Sequence, residues 1–185
     1  KPGIVHNGTI IDTKAFTKAV RRLWRKGRFS TKRVVFAIPE AQVLSREIEL
    51  PWMEPKDFYA ALPYQVQEVL PVEVSTLELD YHILDFTSTL LARSSAPDEE
   101  VMNKIVLVAS DSSALTDHAR TLMQAGLEPV SADTSAFAVI RGVCGSTHYS
   151  PGLPRMIVDL GAEHATIVVE HHAQPHLVRA LTAEI

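Results

Sequence analysis

The sequence of 185 residues contains one cysteine, Cys144, so no disulfide framework exists within it, and that usage fits a reducing compartment. No apolar run approaches the roughly 18 residues that a membrane-spanning helix requires. Positive charge is not in excess: 18 Lys and Arg against 22 Asp and Glu leave a net charge of −4, the wrong balance for a dedicated nucleic-acid binder. Internal repeats and low-complexity tracts are absent. The histidines His164, His171, His172 and His176 lack a matching Cys/Asp cluster, so their spacing does not make a metal site. Cys144 lies near His148 in a Gly/Ser-rich stretch, which does not supply the fixed geometry of a catalytic pair.

What is present is an alternation of short apolar runs and amphipathic segments, long enough to bury a core. Both ends, Lys1-Pro2 and the residues after Leu177-Val178, read as cuts in a longer polypeptide. Asn7-Gly8 between β-branched residues predicts a tight hairpin over residues 3–12. A helix follows, capped by Asp12 or Thr13, with Phe16, Ala19, Val20, Leu23 and Trp24 on one face and Gly27 at its end. Residues 34–38 predict a buried strand.

Residues 43–50 alternate as a strand, and a helix beginning at Pro55 carries Phe58, Ala61, Leu62, Val66, Val69 and Leu70 on its buried face. Pro63 interrupts it, so two short helices are an open alternative. Strands are predicted over residues 77–86, 105–109 and 127–132, a loop over 87–100, and a helix over 112–124 closed by Gly126. That order is β-α-β-β-α-β, a ferredoxin-like module inserted between other α/β elements. A helix over residues 134–143, capped by Asp133, and a turn-rich linker over 142–154 lead to three further strands.

Residues 156–169 (MIVDLGAEHATIVV) carry the sharpest motif. An apolar strand delivers Asp159 into a turn opened by Gly161, and a second strand leaves through Thr166. This pattern can present backbone N–H groups and a hydroxyl to a phosphate while the carboxylate positions a metal-bound water. The competing reading is an ordinary hairpin whose Asp and Gly serve the turn. The basic run Arg21, Arg22, Arg25, Lys26, Arg28, Lys32 and Arg33 reads as a solvated helix face and its C-terminal turn, with contact to an anionic membrane surface as the alternative.

The strand-Asp-x-Gly-turn-strand of residues 157–169 resembles the second phosphate loop of the actin/hexokinase ATPase fold. SREIELP (45–51), the helix ending Val69-Leu70-Pro71, LELDYHIL (77–84), AGLEPVSADTSAFAVIRG (125–142) and NGTIID (7–12) are similar to segments of the PilM family, FtsA-like proteins of type IV pilus assembly. FtsA and the cytoplasmic domain of type II secretion L-proteins share this architecture and compete with that resemblance. A sugar-kinase-type phosphotransferase of the same fold is the enzymatic alternative, disfavoured because no substrate-specific motif is visible.

The resemblance implies an incomplete α/β, actin-like ATPase fold with an inserted module. Residues 1–40 would be first-lobe core, 41–131 the module, 132–153 a first-lobe helix and linker, and 154–185 the start of a second lobe. It implies a cytoplasmic platform at the inner face of the cell membrane, peripheral to it, capable of self-association and without nucleic acid. Its partner would be the cytoplasmic tail of a PilN-like inner-membrane protein. ATP and Mg²⁺ would act as a structural or switching ligand of the complete protein, held by Asp159, Gly161, Ala162 and Thr166, and no catalytic residue is assigned. The family's first phosphate loop, Gly-Xaa-Asp-Xaa-Gly, has no counterpart here, and Ala165 stands where relatives carry a second hydroxyl. The chain by itself is therefore expected not to bind ATP. The tail peptide is expected in a groove between the module and first-lobe residues 34–39 and 133–141, with Ile48, Leu50, Phe58 and Phe137 available to line it. For each of those four, membership of the core is the competing reading.

Overall fold

The computed structural model describes residues 3–38, 42–84, 91, 101–145, 152–161 and 164–182. The first hairpin joins β1 (Val5–His6) to β2 (Thr9–Ile10) through Asn7 at φ 47° and Gly8 at φ 75°, as a turn with two left-handed residues requires. Helix α1 (Thr13–Gly27) starts where the Asp12 carboxylate accepts the Ala15 N–H at 2.9 Å. Its end differs from expectation: Gly27 is the last helical residue, and Arg28 takes the left-handed conformation at φ 52°. Gly27 serves close packing instead, since a Cβ there would meet the Phe29 ring at 2.5 Å.

Strand β3 (Arg33–Ile38) pairs in parallel with β7 (Glu128–Thr134), forming a two-stranded sheet where the first lobe was expected. Between them lies the module: β4 (Val43–Pro51), α2 (Pro55–Gln65), a 3-10 turn (Val74–Thr76), β5 (Leu77–Ile83) and β6 (Met102–Asp111). Helix α3 (Ser112–Gln124) leads from β6 to β7. The predicted element order is present along the chain, but the module's sheet has three strands, in the order β4-β6-β5, and β7 does not join it. The Glu128 N–H already bonds the Lys32 carbonyl at 2.8 Å, which registers β7 on the first lobe. Helix α3 goes with it, because Arg21 of α1 donates to the Gln124 and Ala125 carbonyls at its C-terminus.

Helix α2 runs unbroken through Pro63 in its last turn but ends at Gln65, so Val66, Val69 and Leu70, expected on the helix, follow it in a turn. It survives because its buried face is deep in the module core: Leu50, Phe58, Leu62, Val66, Leu70, Ile105 and Leu107 form one cluster. Burying each large side chain contributes roughly 1.5–3 kcal/mol, enough together to outweigh one kinking proline at ~3 kcal/mol. Helix α4 (Ser135–Cys144) begins at Thr134, whose hydroxyl accepts the Phe137 N–H at 3.1 Å. Asp133, the expected cap, instead pairs with Arg141 one face along. The C-terminal residues form the antiparallel sheet β10-β9-β8, made by β8 (Arg155–Leu160), β9 (His164–His171) and β10 (Gln174–Thr182). It packs on α4 through Ala136, Ile140, Val168 and Val178. The predicted loop over 87–100, apart from Leu91, and residues 146–151 of the predicted linker lie outside the described residues.

Candidate functional site

The hairpin expected over residues 156–169 forms as the antiparallel pair of β8 and β9. Asp159 and Thr166 are cross-strand partners, as are Ile157 and Val168, and the period of two puts all four on the face that packs against α4. Thr166 is buried and Asp159 exposed, so the carboxylate stands where the covered face opens to solvent. Gly161 is a requirement of the turn: a Cβ would lie 2.8 Å from the His164 carbonyl oxygen. Its N–H closes the hairpin by donating to that oxygen at 3.0 Å, so this donor does not point at a ligand. Ala162 lies outside the described residues. As a cradle for Mg²⁺ and ATP the described hairpin is incomplete: Asp159 is exposed, Thr166 is buried, and the Gly161 N–H is taken by the turn.

The four expected groove residues divide. Leu50 and Phe58 are inside the module core, and Ile48 packs against it. Phe137 lines a cleft of about 300 Å³ between the module sheet and the β3–β7 pair with its helices. One wall of that cleft is the module sheet, with Glu78, Leu79, Asp80, Tyr81 and His82 of β5 and Val108 of β6. The other is Ile38, Leu115, Ala132, Thr134 and Phe137. Five consecutive β5 residues reach the cleft because β5 is the outer strand of its sheet, and among the described residues its second edge has no partner strand. Burial, followed by the Asp80 carboxylate, pushes the Tyr81 hydroxyl up from its ordinary pKa, and its ring packs on Phe58 at 4.6 Å. The edge and the residues around it were not legible in the sequence, since edge status depends on which strands fail to pair.

A larger cavity of about 620 Å³ separates β4 from β10. There Glu47 of β4 binds Lys104 of β6 at 2.5 Å and His176 Nδ1 of β10 at 3.4 Å, tying the two three-stranded sheets together. Burial pushes Glu47 up, and Lys104 and His176 outweigh it, holding the carboxyl below its ordinary range. The His171 and His172 rings lie 4.1 Å apart, tilted by 51°, yet among the described residues no group of three His, Cys, Asp or Glu could hold a metal. No described helix is long and apolar enough to cross a membrane.

A parallel pair, an inserted three-stranded sheet and a second antiparallel sheet joined through α4 define part of a two-lobed, actin-like α/β protein. Two solved structures share this arrangement. One, a PilM-PilN type IV pilus biogenesis complex, matches with a TM-score of 0.83 at 23% identity, over 98% of this chain and 52% of that one. The other is the cytoplasmic domain of EpsL, an inner-membrane component of the type II secretion system of Vibrio cholerae. It matches with a TM-score of 0.56 at 10% identity, over 90% of this chain and 56% of that one. The chain thus spans about half the length of each solved chain. A comparison with curated proteins finds no match. The family model for the type IV pilus assembly protein PilM matches residues 1–180, and the chain belongs to that family.

Proposed function

We propose that this chain forms the partner-docking part of a type IV pilus assembly platform at the cytoplasmic face of the inner membrane. Its cleft takes an extended segment from the cytoplasmic tail of a PilN-like protein. The observation that carries this reading is the β5 edge, which among the described residues has no partner strand and borders an apolar cleft. An extended chain gains backbone hydrogen bonds from such an edge and specificity from the pockets beside it. The solved PilM-PilN complex supports the choice of partner. In the complete protein, ATP with Mg²⁺ serves as a structural or switching ligand, with Asp159 and Thr166 as the residues of this chain that would hold it.

The test is fluorescence anisotropy of a labelled synthetic tail peptide against the full-length protein and its Ala132→Trp variant. Ala132 is exposed and lines the cleft, so the indole fills the groove without entering a core. The variant is expected to bind at least about tenfold more weakly, ~1.4 kcal/mol. Unchanged affinity in the folded variant places the groove elsewhere.

A further inference from the structure

Among the described residues strand β5 has one edge without a partner strand, and a groove lies on each side of it. Leu77, Leu79, Tyr81 and Ile83 face α2 and pack on the module core, while Glu78, Asp80 and His82 point the other way, as the period of two requires. The cleft toward the first lobe is one groove. The second, about 420 Å³, lies on the α2 side and is lined by Tyr59, Pro63 and Tyr64 of α2, Val74 of the 3-10 turn, and Leu77 and Leu79. Leu79 borders both. Tyr59 is 62% and Tyr64 79% exposed, on a helix whose other face is core. Tyrosine supplies large contact area at low entropic cost and is over-represented among residues that dominate binding.

Charge marks the kind of chain that fits. Glu73 accepts from the Ser75 hydroxyl, Glu78 from the Ser112 hydroxyl, and Asp80 from the Tyr81 N–H. None of the three is in an ion pair among the described residues. Glu78 and Asp80 lie on β5 and Glu73 just before it, so among the described residues acidic charge collects at this edge, which discourages it from pairing with another copy of itself.

We propose that the segment bound here, on the reading given above, adds to β5 as a strand and is read on both of its faces. Successive residues of an added strand point to opposite sides. One parity therefore enters the first-lobe cleft against Ile38, Leu115 and Phe137, and the other enters the Tyr59–Tyr64 groove. The occupant is a basic, extended tail segment with Lys or Arg flanking an alternating apolar stretch. The tyrosine groove is a specificity site separate from the interdomain cleft.

The full-length protein and a fluorescein-labelled synthetic peptide of the PilN-like protein's cytoplasmic tail provide the test. Single N-methylation along the peptide is expected to cost about tenfold in affinity at every second residue and little between. Alanine substitutions at one parity should lose their effect in the Tyr59→Ser, Tyr64→Ser double variant, which itself binds about tenfold more weakly. Asp80→Asn with Glu78→Gln should weaken binding several-fold and flatten its salt dependence. If the wild-type protein binds no tail peptide, the proposed function fails and this inference with it. If it binds, Ala132→Trp abolishes binding, and the tyrosine variant and the N-methyl scan show no parity, the cleft alone is the site and this inference is overturned.

Discussion

Glu170 shows how one residue decides the behaviour of the second lobe. Its side chain has no exposed surface, and it accepts from Arg155 Nε at 2.6 Å and from the Ala173 N–H at 3.0 Å. Burial pushes the carboxyl up, but Arg155 and the Ala173 N–H outweigh it and hold the pKa below its ordinary 4.5. A carboxyl depressed in the folded state stabilises above its unfolded pKa and loses that contribution as pH falls through the folded value. Acid titration followed by circular dichroism should therefore show stability falling below about pH 4.5. Glu170→Gln keeps an acceptor for Ala173 but loses the charge facing Arg155. It should lower stability at neutral pH by about 2 kcal/mol, toward the low side because Arg155 reaches solvent. Its stability should also vary less with pH in the acid range. An acid profile identical to wild type would mean that the pair contributes nothing to folding.

At the scale of the element, local chemistry was readable and partnership was not. Asn7-Gly8, Asp12 and Gly126 each act where the sequence put them, because a turn or cap needs only its own few residues. Gly126 adopts φ +88°, its N–H bonds the Met123 carbonyl at 2.9 Å, and the Leu127 N–H reaches back to the Leu122 carbonyl at 3.1 Å. That pair of bonds is the Schellman closure of α3, and it aims the chain into β7. Gly126→Ala finds open space for its Cβ, so its cost is conformational alone, about 1 kcal/mol. A thermal melt should show a fall of a few degrees, with Gly126→Asn milder because asparagine tolerates the left-handed region. No fall in the alanine variant would show that the left-handed position carries no strain. The strand that Gly126 launches was misassigned to the module. Residues 127–132 are equally apolar and equally β-forming whichever sheet receives them, and pairing with β3 arises from contacts about a hundred positions apart in the chain. The expectation that Asp133 caps α4 failed for a local reason: Asp133 and Thr134 are both good caps in sequence, and Arg141, two turns along the same helix, takes the first.

For the whole molecule, the candidate sites were legible in unequal measure. The Asp159–Thr166 hairpin could be read because its residues are contiguous. Of the groove, only Phe137 lines the cleft, since Leu50 and Phe58 carry the same apolar signal whether they face a core or a partner. The hairpin geometry leads to a prediction about nucleotide. A phosphate cradle requires several donors converging on one ligand, and here the Gly161 N–H is engaged with His164 at 3.0 Å. The sequence contains no Gly-Xaa-Asp-Xaa-Gly turn to supply opposing donors, and the chain spans 52% of the solved PilM chain. What remains is an exposed carboxylate and a buried hydroxyl on neighbouring strands, which can contact a hydrated cation but cannot enclose a triphosphate. Calorimetry of the 185-residue chain with ATP and Mg²⁺ should therefore show affinity weaker than about 1 mM. Asp159→Ala should leave that result and the fold unchanged here, because Asp159 is solvent-exposed at a strand end. In the full-length protein the same substitution should weaken Mg·ATP binding while circular dichroism stays constant. Low-micromolar binding by the 185-residue chain would overturn the prediction, and would require donors that these two strands do not present.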